Sequence, residues 1–212
     1  ELCQSRLKNT YGFEPFDIQI LSPTKKGIAG VNNLNKVLQT LLNPPERFKK
    51  EKNYGDIVFR EGDKVMQIKN NYKLEWQIRS PRGFIREEGI GVFNGDMGIV
   101  REINTFSEKV TVEFDEGKIA EYSYGMLDEL ELAYAITIHK SQGSEFEHVI
   151  MPACRSYFIM LYNKLLYTGV SRAKTSLTII GDPRSFVQGI QNNYSMTRKT
   201  SLIDKLQEDF NV

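Results

Sequence analysis

The chain changes its hydrophobic rhythm twice, and that constrains its fold more than any other feature. From Phe16 to Leu21 a short apolar run ends at Ser22-Pro23-Thr24, and Gly27 and Gly30 extend the break. Val31, Leu34, Leu38 and Leu41 then recur at helical spacing until Asn43-Pro44-Pro45 stops them. From about Gly62 the pattern becomes short extended runs, Lys64–Ile68, Gly98–Ile103, Lys109–Asp115 and Lys118–Tyr122. Asn94-Gly95 and Glu116-Gly117 are turn signals between them, and Val110, Val112 and Phe114 alternate with polar residues. After Asp128 the strand and helix rhythm returns. Leu132–Ile138 reads as a strand, His139–Gly143 as a turn into a short helix and His148–Met151 as a buried strand; Ile159–Ala173 reads as a helix and Ser176–Ile180 as a strand. A final helix is expected from Ser201, where Asp204 stands at capping-box spacing. A β-rich unit of about five strands, a small barrel or meander, is therefore inserted into one α/β layered domain. The expected division is 1–60, 61–130 and 131–212, the outer two forming one domain.

At 212 residues the chain can bury a real core. Its 28 Lys and Arg nearly balance 27 Asp and Glu, so any grip on a polyanion must come from local patches. Cys3 and Cys154 match no metal or redox spacing and read as free thiols, which points to the cytoplasm. No apolar run approaches the roughly 18 residues that span a bilayer, so no membrane partner is expected. The chain starts at Glu1 without an initiator methionine, and the expectation is a piece of a larger protein.

Two stretches carry the chemistry. In AYAITIHKSQGSEF, Ala133–Phe146, an apolar strand delivers Thr137, His139, Lys140, Ser141, Gln142, Ser144 and Glu145 around Gly143. Ligands bind beyond the carboxyl ends of strands in open α/β sheets, although a solvated turn has the same composition. His139 has only His148 as a companion histidine and no Cys or carboxylate at ligand spacing, so no metal site is expected. Ser141 and Ser144 lack the Gly-x-Ser-x-Gly elbow of a hydrolase. In LLYTGVSRAKTSLTIIGDP, Leu165–Pro183, Arg172 ends a helical run just before an apolar strand. Such an arginine can reach a transferred phosphate or satisfy the last carbonyls of its own helix. No Gly-x-x-x-x-Gly-Lys-Ser/Thr occurs in the chain, and Tyr124-Gly125 breaks the strand that would make Leu127-Asp128-Glu129 a magnesium motif.

The insertion interleaves Lys64, Lys69, Lys73, Arg79, Arg82 and Arg86 with Tyr72, Trp76 and Phe84, in a segment from Asn70 to Gly91 that reads as a loop. Basic residues beside aromatics suit single-stranded DNA, at about 1 to 3 kcal/mol per stacked base. The candidates for that contact are Lys69, Asn71, Tyr72 and Trp76. The alternative is a barrel whose Trp76 and Phe84 pack its own loop, with Asn70, Asn71, Asn94 and Gly95 as turn builders.

Taken in order, IQILSPTKKGIAGVNNLNKVLQ, GDKVMQIKNNY, VFNGDMGIV, AITIHKSQGSEF and LLYTGVSRAK resemble the carboxyl-terminal portion of RecD-like DNA helicases. That family lies in helicase superfamily 1B and includes the exodeoxyribonuclease V alpha subunit. SPTKKG is similar to its motif IV region, TIHKSQGSEF to motif V and YTGVSRAK to motif VI. The resemblance implies a RecA-like second lobe of P-loop NTPase type, a parallel sheet with flanking helices, carrying an SH3-like barrel as insertion. It implies Arg172 as an arginine finger, Gln142, Gly143, Glu145 and Lys26 near nucleotide, and Thr137, His139 and Ser141 near the DNA backbone; Lys26 is left between ATP and DNA phosphate. ATP and Mg2+ are the implied cofactors of the full-length enzyme, with none expected on this chain. Implied partners are single-stranded and duplex DNA, the missing amino-terminal RecA-like lobe and nuclease-complex subunits. The implied activity is 5′ to 3′ unwinding in recombination and repair, silent in this piece alone. Two other readings stay open, a non-catalytic nucleic-acid or protein interaction module and the helicase part of a conjugative relaxase.

Overall fold

The computed structural model describes Cys3, Gly12 and residues 15–157 and 160–193. The helix expected from Ser201 lies outside the described residues. Four strands form a parallel sheet in the order β11-β1-β12-β13, with β1 at Ile18–Ser22, β11 at Ala135–Thr137, β12 at Phe146–Ala153 and β13 at Ala173–Gly181. Side chains alternate across it as the two-residue strand period requires. Ile18, Ile20, Ala135 and Ile150 turn to one face and meet Leu38 of helix α1, Val31–Leu42. Leu21, Ile136, Val149 and Met151 turn to the other, with Leu165 and Leu166 of helix α2, Asn163–Val170. A third helix, α3 at Pro183–Gln191, packs on the second face beside α2. Each buried aliphatic side chain contributes about 1.5 to 3 kcal/mol.

The expected insertion is an antiparallel sheet of seven strands rather than about five. Its order is β10-β4-β7-β8-β9-β5-β6, with β4 at Lys64–Gln67, β5 at Asn71–Arg79, β6 at Ile85–Val92, β7 at Met97–Asn104, β8 at Lys109–Phe114, β9 at Lys118–Ser123 and β10 at Leu130–Leu132. The alternation expected at Val110, Val112 and Phe114 buries all three on one face of β8. A separate hairpin, β2 at Glu51–Tyr54 and β3 at Ile57–Arg60, adds buried Phe59 to the same core.

The segment from Asn70 to Gly91 is not a loop but the hairpin β5–β6. Only Leu74 and Val92 of these two strands are well buried among large apolar residues, and β6 is an edge strand, so most of its positions face water whichever way they point. The strand expected over Leu132–Ile138 is two strands in two sheets. Leu130–Leu132 pairs antiparallel with β4, and after Ala133 and Tyr134 the chain enters β11 parallel to β1. The α2 helix is shorter than the expected Ile159–Ala173, leaving Arg172 in a turn; residues 158 and 159 lie outside the described residues. Leu41 is largely exposed, and Leu42 packs in its place.

Side chains fasten the crossover between the sheets. Asn35 of α1 donates to the carbonyls of Leu132 and Ala135 at 2.9 and 3.0 Å and accepts from the Ala135 N–H at 2.8 Å. Gln19 donates to the Ala133 carbonyl at 3.1 Å. Backbone groups stranded between two ladders need such partners. Beneath them lies buried Asp63, whose Oδ1 accepts from Asn43 at 2.7 Å and Tyr134 at 3.0 Å, and whose Oδ2 accepts from Gln39 at 2.6 Å and the Arg60 N–H at 2.7 Å. Burial pushes the Asp63 carboxyl up, and the four donors oppose that shift.

Candidate functional site

Because the four strands of the lobe are parallel, its functional segments fall at two opposite ends of one sheet. At the carboxyl end, the 23–30 loop leaves β1 and turns into α1. Ser22 Oγ donates to the carbonyl of Ala29 at 2.7 Å and accepts from the Thr24 N–H at 3.3 Å, and the Val31 N–H closes back on the Thr24 carbonyl at 3.0 Å. Lys25 and Lys26 stand exposed on this loop. Gly27 has φ +93°, and a Cβ there would lie 2.5 Å from the Tyr157 hydroxyl, so both conformation and space call for glycine.

Thr137 ends β11 at the same edge, paired with Ser22. Its Oγ1 accepts from the Lys140 N–H at 3.3 Å and caps the 3-10 turn Ile138–Ser141. Ser141 is fully buried, and its hydroxyl donates to the Ile138 carbonyl at 2.7 Å. Both hydroxyls are thus occupied in shaping the turn. Lys140 is held by Glu131 at 2.7 Å. His139, Gln142 and Gly143 are the exposed members, with Gly143 at φ +89°.

The connection from Thr137 runs the length of the sheet to the amino end, where Ser144 and Glu145 precede β12. Here Phe146 pairs with Ala173, which places Arg172 beside them. The half-exposed guanidinium uses three of its five N–H donors. Nε donates to the Thr168 carbonyl at 3.2 Å, one terminal nitrogen to the Ser144 carbonyl at 3.0 Å and the other to Ser171 Oγ at 3.1 Å. It therefore fills one of the two roles the sequence leaves open, satisfying a carbonyl at the end of α2, and it also ties the Ser144 turn to that helix end, with two N–H donors outside these contacts. Gly169 brings that helix end close to the sheet, since a Cβ would meet Met151 Sδ at 2.8 Å. Lys174 stands 3.9 Å from Glu145, an exposed pair of little energetic consequence. The structure brings Glu145 to Arg172; it separates both from Lys26 and Thr137.

Between this amino edge and the barrel lies a cleft of about 430 Å3, lined by Asp17, Asp96, Asp115, Glu145 and Glu147 with Lys64. Lys64, expected among DNA-facing cations, is only 7% exposed. It donates to the carbonyls of Phe16 at 2.9 Å and Ile18 at 3.3 Å, and burial lowers its pKa to about 8. Among the described residues no group of His, Cys, Asp and Glu is arranged to hold a metal ion.

On the barrel the four candidates divide. Lys69 pairs with Asp128, whose hydrogen bond raises the ammonium pKa. Asn71 accepts from the N–H groups of Lys73 at 3.1 Å and Leu74 at 3.0 Å and donates to Glu129 at 3.0 Å, the geometry of a turn builder. Trp76 lies against the Gly89 backbone with the Lys118 ammonium 5.2 Å from its ring centre, so its faces are taken. Tyr72 is 66% exposed and meets Phe93 edge-on at 5.6 Å. Phe93 was not legible as a partner because it follows the hairpin in sequence, and only the fold carries it to Tyr72.

Comparison with known proteins covers both units. Residues 34–114 match the SH3 domain of ATP-dependent RecD-like DNA helicases, and residues 132–180 match the UvrD-like helicase C-terminal domain. The chain is 31% identical over 193 residues to the ATP-dependent RecD2 DNA helicase of Deinococcus radiodurans, covering 91% of this chain and 24% of that protein. It is 27% identical to the RecBCD enzyme subunit RecD of Haemophilus influenzae, over 92% of this chain and 26% of that subunit. The chain thus spans about a quarter of these relatives' length. In fold it resembles the Pif1 helicase of Candida albicans, with a TM-score of 0.52 at 16% identity over 99% of this chain and 52% of that one. A Bacteroides Pif1 helicase in complex with ADP-AlF3 and ssDNA gives a TM-score of 0.50 at 19% identity, over 100% of this chain and 48% of that one. The chain belongs to the RecD-like DNA helicase family, as a portion holding the SH3-like barrel and the UvrD-like carboxyl-terminal lobe.

Proposed function

We propose that this chain is the second motor lobe of an ATP-dependent DNA helicase that moves 5′ to 3′ on single-stranded DNA and unwinds duplex in recombination and repair. The proposed division is a lobe of residues 1–60 and 131–212 interrupted by the barrel at 61–130, and the proposed compartment is the cytoplasm. The observation that carries the reading is the position of Arg172. It is half exposed at the amino edge beside Glu145, with two N–H donors unengaged by the three contacts it makes. Glu145 beside it, with Gln142 and Gly143 on the segment leading to it, is the proposed nucleotide-facing set, and His139 and Lys26 are proposed to face DNA at the other edge.

The residues present fit one wall of a nucleotide site and no more. Arg172 suits the developing charge on a transferred phosphoryl group, while no segment of the chain has the glycine-rich lysine loop that cradles phosphates or the strand-borne carboxylate that holds Mg2+. Bound ATP with Mg2+ would supply the phosphoryl group, two lobes closing on ATP and reopening after its hydrolysis. This chain's part is to place a fixed guanidinium against that charge and to hold DNA phosphates on a separate edge. The guanidinium is held by backbone carbonyls on both sides, so little reorganisation is needed when charge develops.

Arg172→Ala in the full-length protein tests the reading. An arginine finger is worth about 10³ to 10⁵ in rate, so DNA-stimulated ATP turnover should vanish while single-stranded DNA affinity stays near wild type. The isolated chain is the control and should turn over no ATP. Unchanged turnover in the variant removes Arg172 from catalysis and leaves it as a helix-terminal residue, whereas a full-length protein with no ATP turnover at all favours the interaction-module reading.

A further inference from the structure

The loop carrying Lys25 and Lys26 is held by its neighbours in sequence, Ser22 and Asn33, and from a distant segment by Tyr157. The Tyr157 hydroxyl, on the 3-10 turn Arg155–Tyr157 that follows β12, accepts a hydrogen bond from the Ala29 N–H at 3.0 Å. The same oxygen sits over Gly27, so the turn at Lys26-Gly27 can approach the ring only because position 27 has no side chain. Tyr157 is itself anchored. Its N–H donates to the Cys154 carbonyl at 2.9 Å, and its carbonyl accepts from Met160 at 2.8 Å and Leu161 at 3.0 Å, where Leu161 is fully packed in the lobe core. One aromatic side chain thus transmits the position of the β12 end to the 23–30 loop.

We propose that Tyr157 is a positioning residue, which sets the loop so that Lys26 meets a phosphate of single-stranded DNA. This rests on the reading of the chain as a motor lobe. The DNA backbone, rather than the nucleotide, follows from topology. Lys26 leaves the carboxyl end of β1, the edge where Thr137 ends β11, while Arg172 and Glu145 stand at the amino end. A lysine on a loop fixed at Ser22, Thr24 and Tyr157 meets a phosphate as a point charge, and it keeps that contact only while the loop holds its shape.

The test measures the salt dependence of binding to an oligo-dT strand by the full-length protein, for wild type, Lys26→Ala, Tyr157→Phe and the double variant. Each phosphate contact on single strands contributes about 0.7 to the slope of log affinity against log salt. Lys26→Ala should lower the slope by about that amount. Tyr157→Phe, which keeps the ring and loses the hydroxyl, should lower it comparably, and the double variant should fall no further than Lys26→Ala. A merely structural hydroxyl would lower the melting temperature and leave the slope alone, and that result overturns the proposal. So does an additive loss in the double variant, which would place the effect of Tyr157 elsewhere. If Lys26→Ala itself leaves the slope unchanged while its ATP dependence shifts, the phosphate is the nucleotide's, and the assignment to DNA fails whatever Tyr157 does.

Discussion

The buried carboxylate at the junction makes a demanding prediction. Each Asp63 oxygen receives two donors, Asn43 and Tyr134 on one side and Gln39 and the Arg60 N–H on the other. Asp63→Asn is nearly isosteric, yet whichever way the amide turns, its NH2 faces two donors. Two buried groups are then left unsatisfied, at about 1 to 3 kcal/mol each. The expected loss is about 2 to 6 kcal/mol, or roughly 4 to 24 °C in melting temperature for a chain of this size. Tyr134→Phe deletes a single donor to a charged acceptor and should cost about 1.5 to 3 kcal/mol. Urea denaturation of the two variants beside wild type measures both. If Asp63→Asn lies within about 0.5 kcal/mol of wild type, the range of an ordinary surface change, the carboxylate is not the fastening point between α1 and the barrel and the reasoning is refuted.

Two further predictions follow from side chains whose environments the fold reverses. The Lys64 pKa is lowered from 10.5 to about 8 by burial, so between those values the unfolded chain holds a proton that the folded one has released. Stability should rise with pH across that window, and Lys64→Met should remove the slope seen in denaturation midpoints at pH 8 and pH 10. On the barrel, Tyr72→Ala should weaken oligo-dT binding by about 1 to 3 kcal/mol with little change in unfolding. Trp76→Ala should do the opposite, and titration with both variants beside their melting curves distinguishes them.

The α/β rhythm was legible in the chain because β1, β11 and the middle of β12 are buried on both faces and the first helix shows one apolar stripe; Leu21, Val149 and Leu38 carry that signal without help from tertiary context. The β5–β6 hairpin was not, since Glu87, Glu88 and Ile90 lie on an exposed edge where polarity does not alternate. Nor could periodicity reveal that an unbroken apolar run passes from one sheet to another at Ala133-Tyr134, because the residues that allow it, Asn35 and Gln19, are about a hundred positions away. The α3 helix was not expected, although it begins at Asp182-Pro183, an N-cap whose carboxylate accepts from the Arg184 N–H at 3.1 Å with proline at the first helical position. At the site, the polar density of residues 137–145 was readable. Which hydroxyls turn inward was not, and Thr137 and Ser141 spend theirs on the turn.

The central claim is that one parallel sheet offers its two ends to two ligands. Steady-state ATP turnover and oligo-dT affinity, measured together on Arg172→Ala and His139→Ala in the full-length protein, test it directly. The account predicts that the first variant loses turnover and keeps affinity, whereas the second loses affinity and, once saturated with DNA, keeps most of its turnover. Equal loss of both quantities in both variants would contradict it.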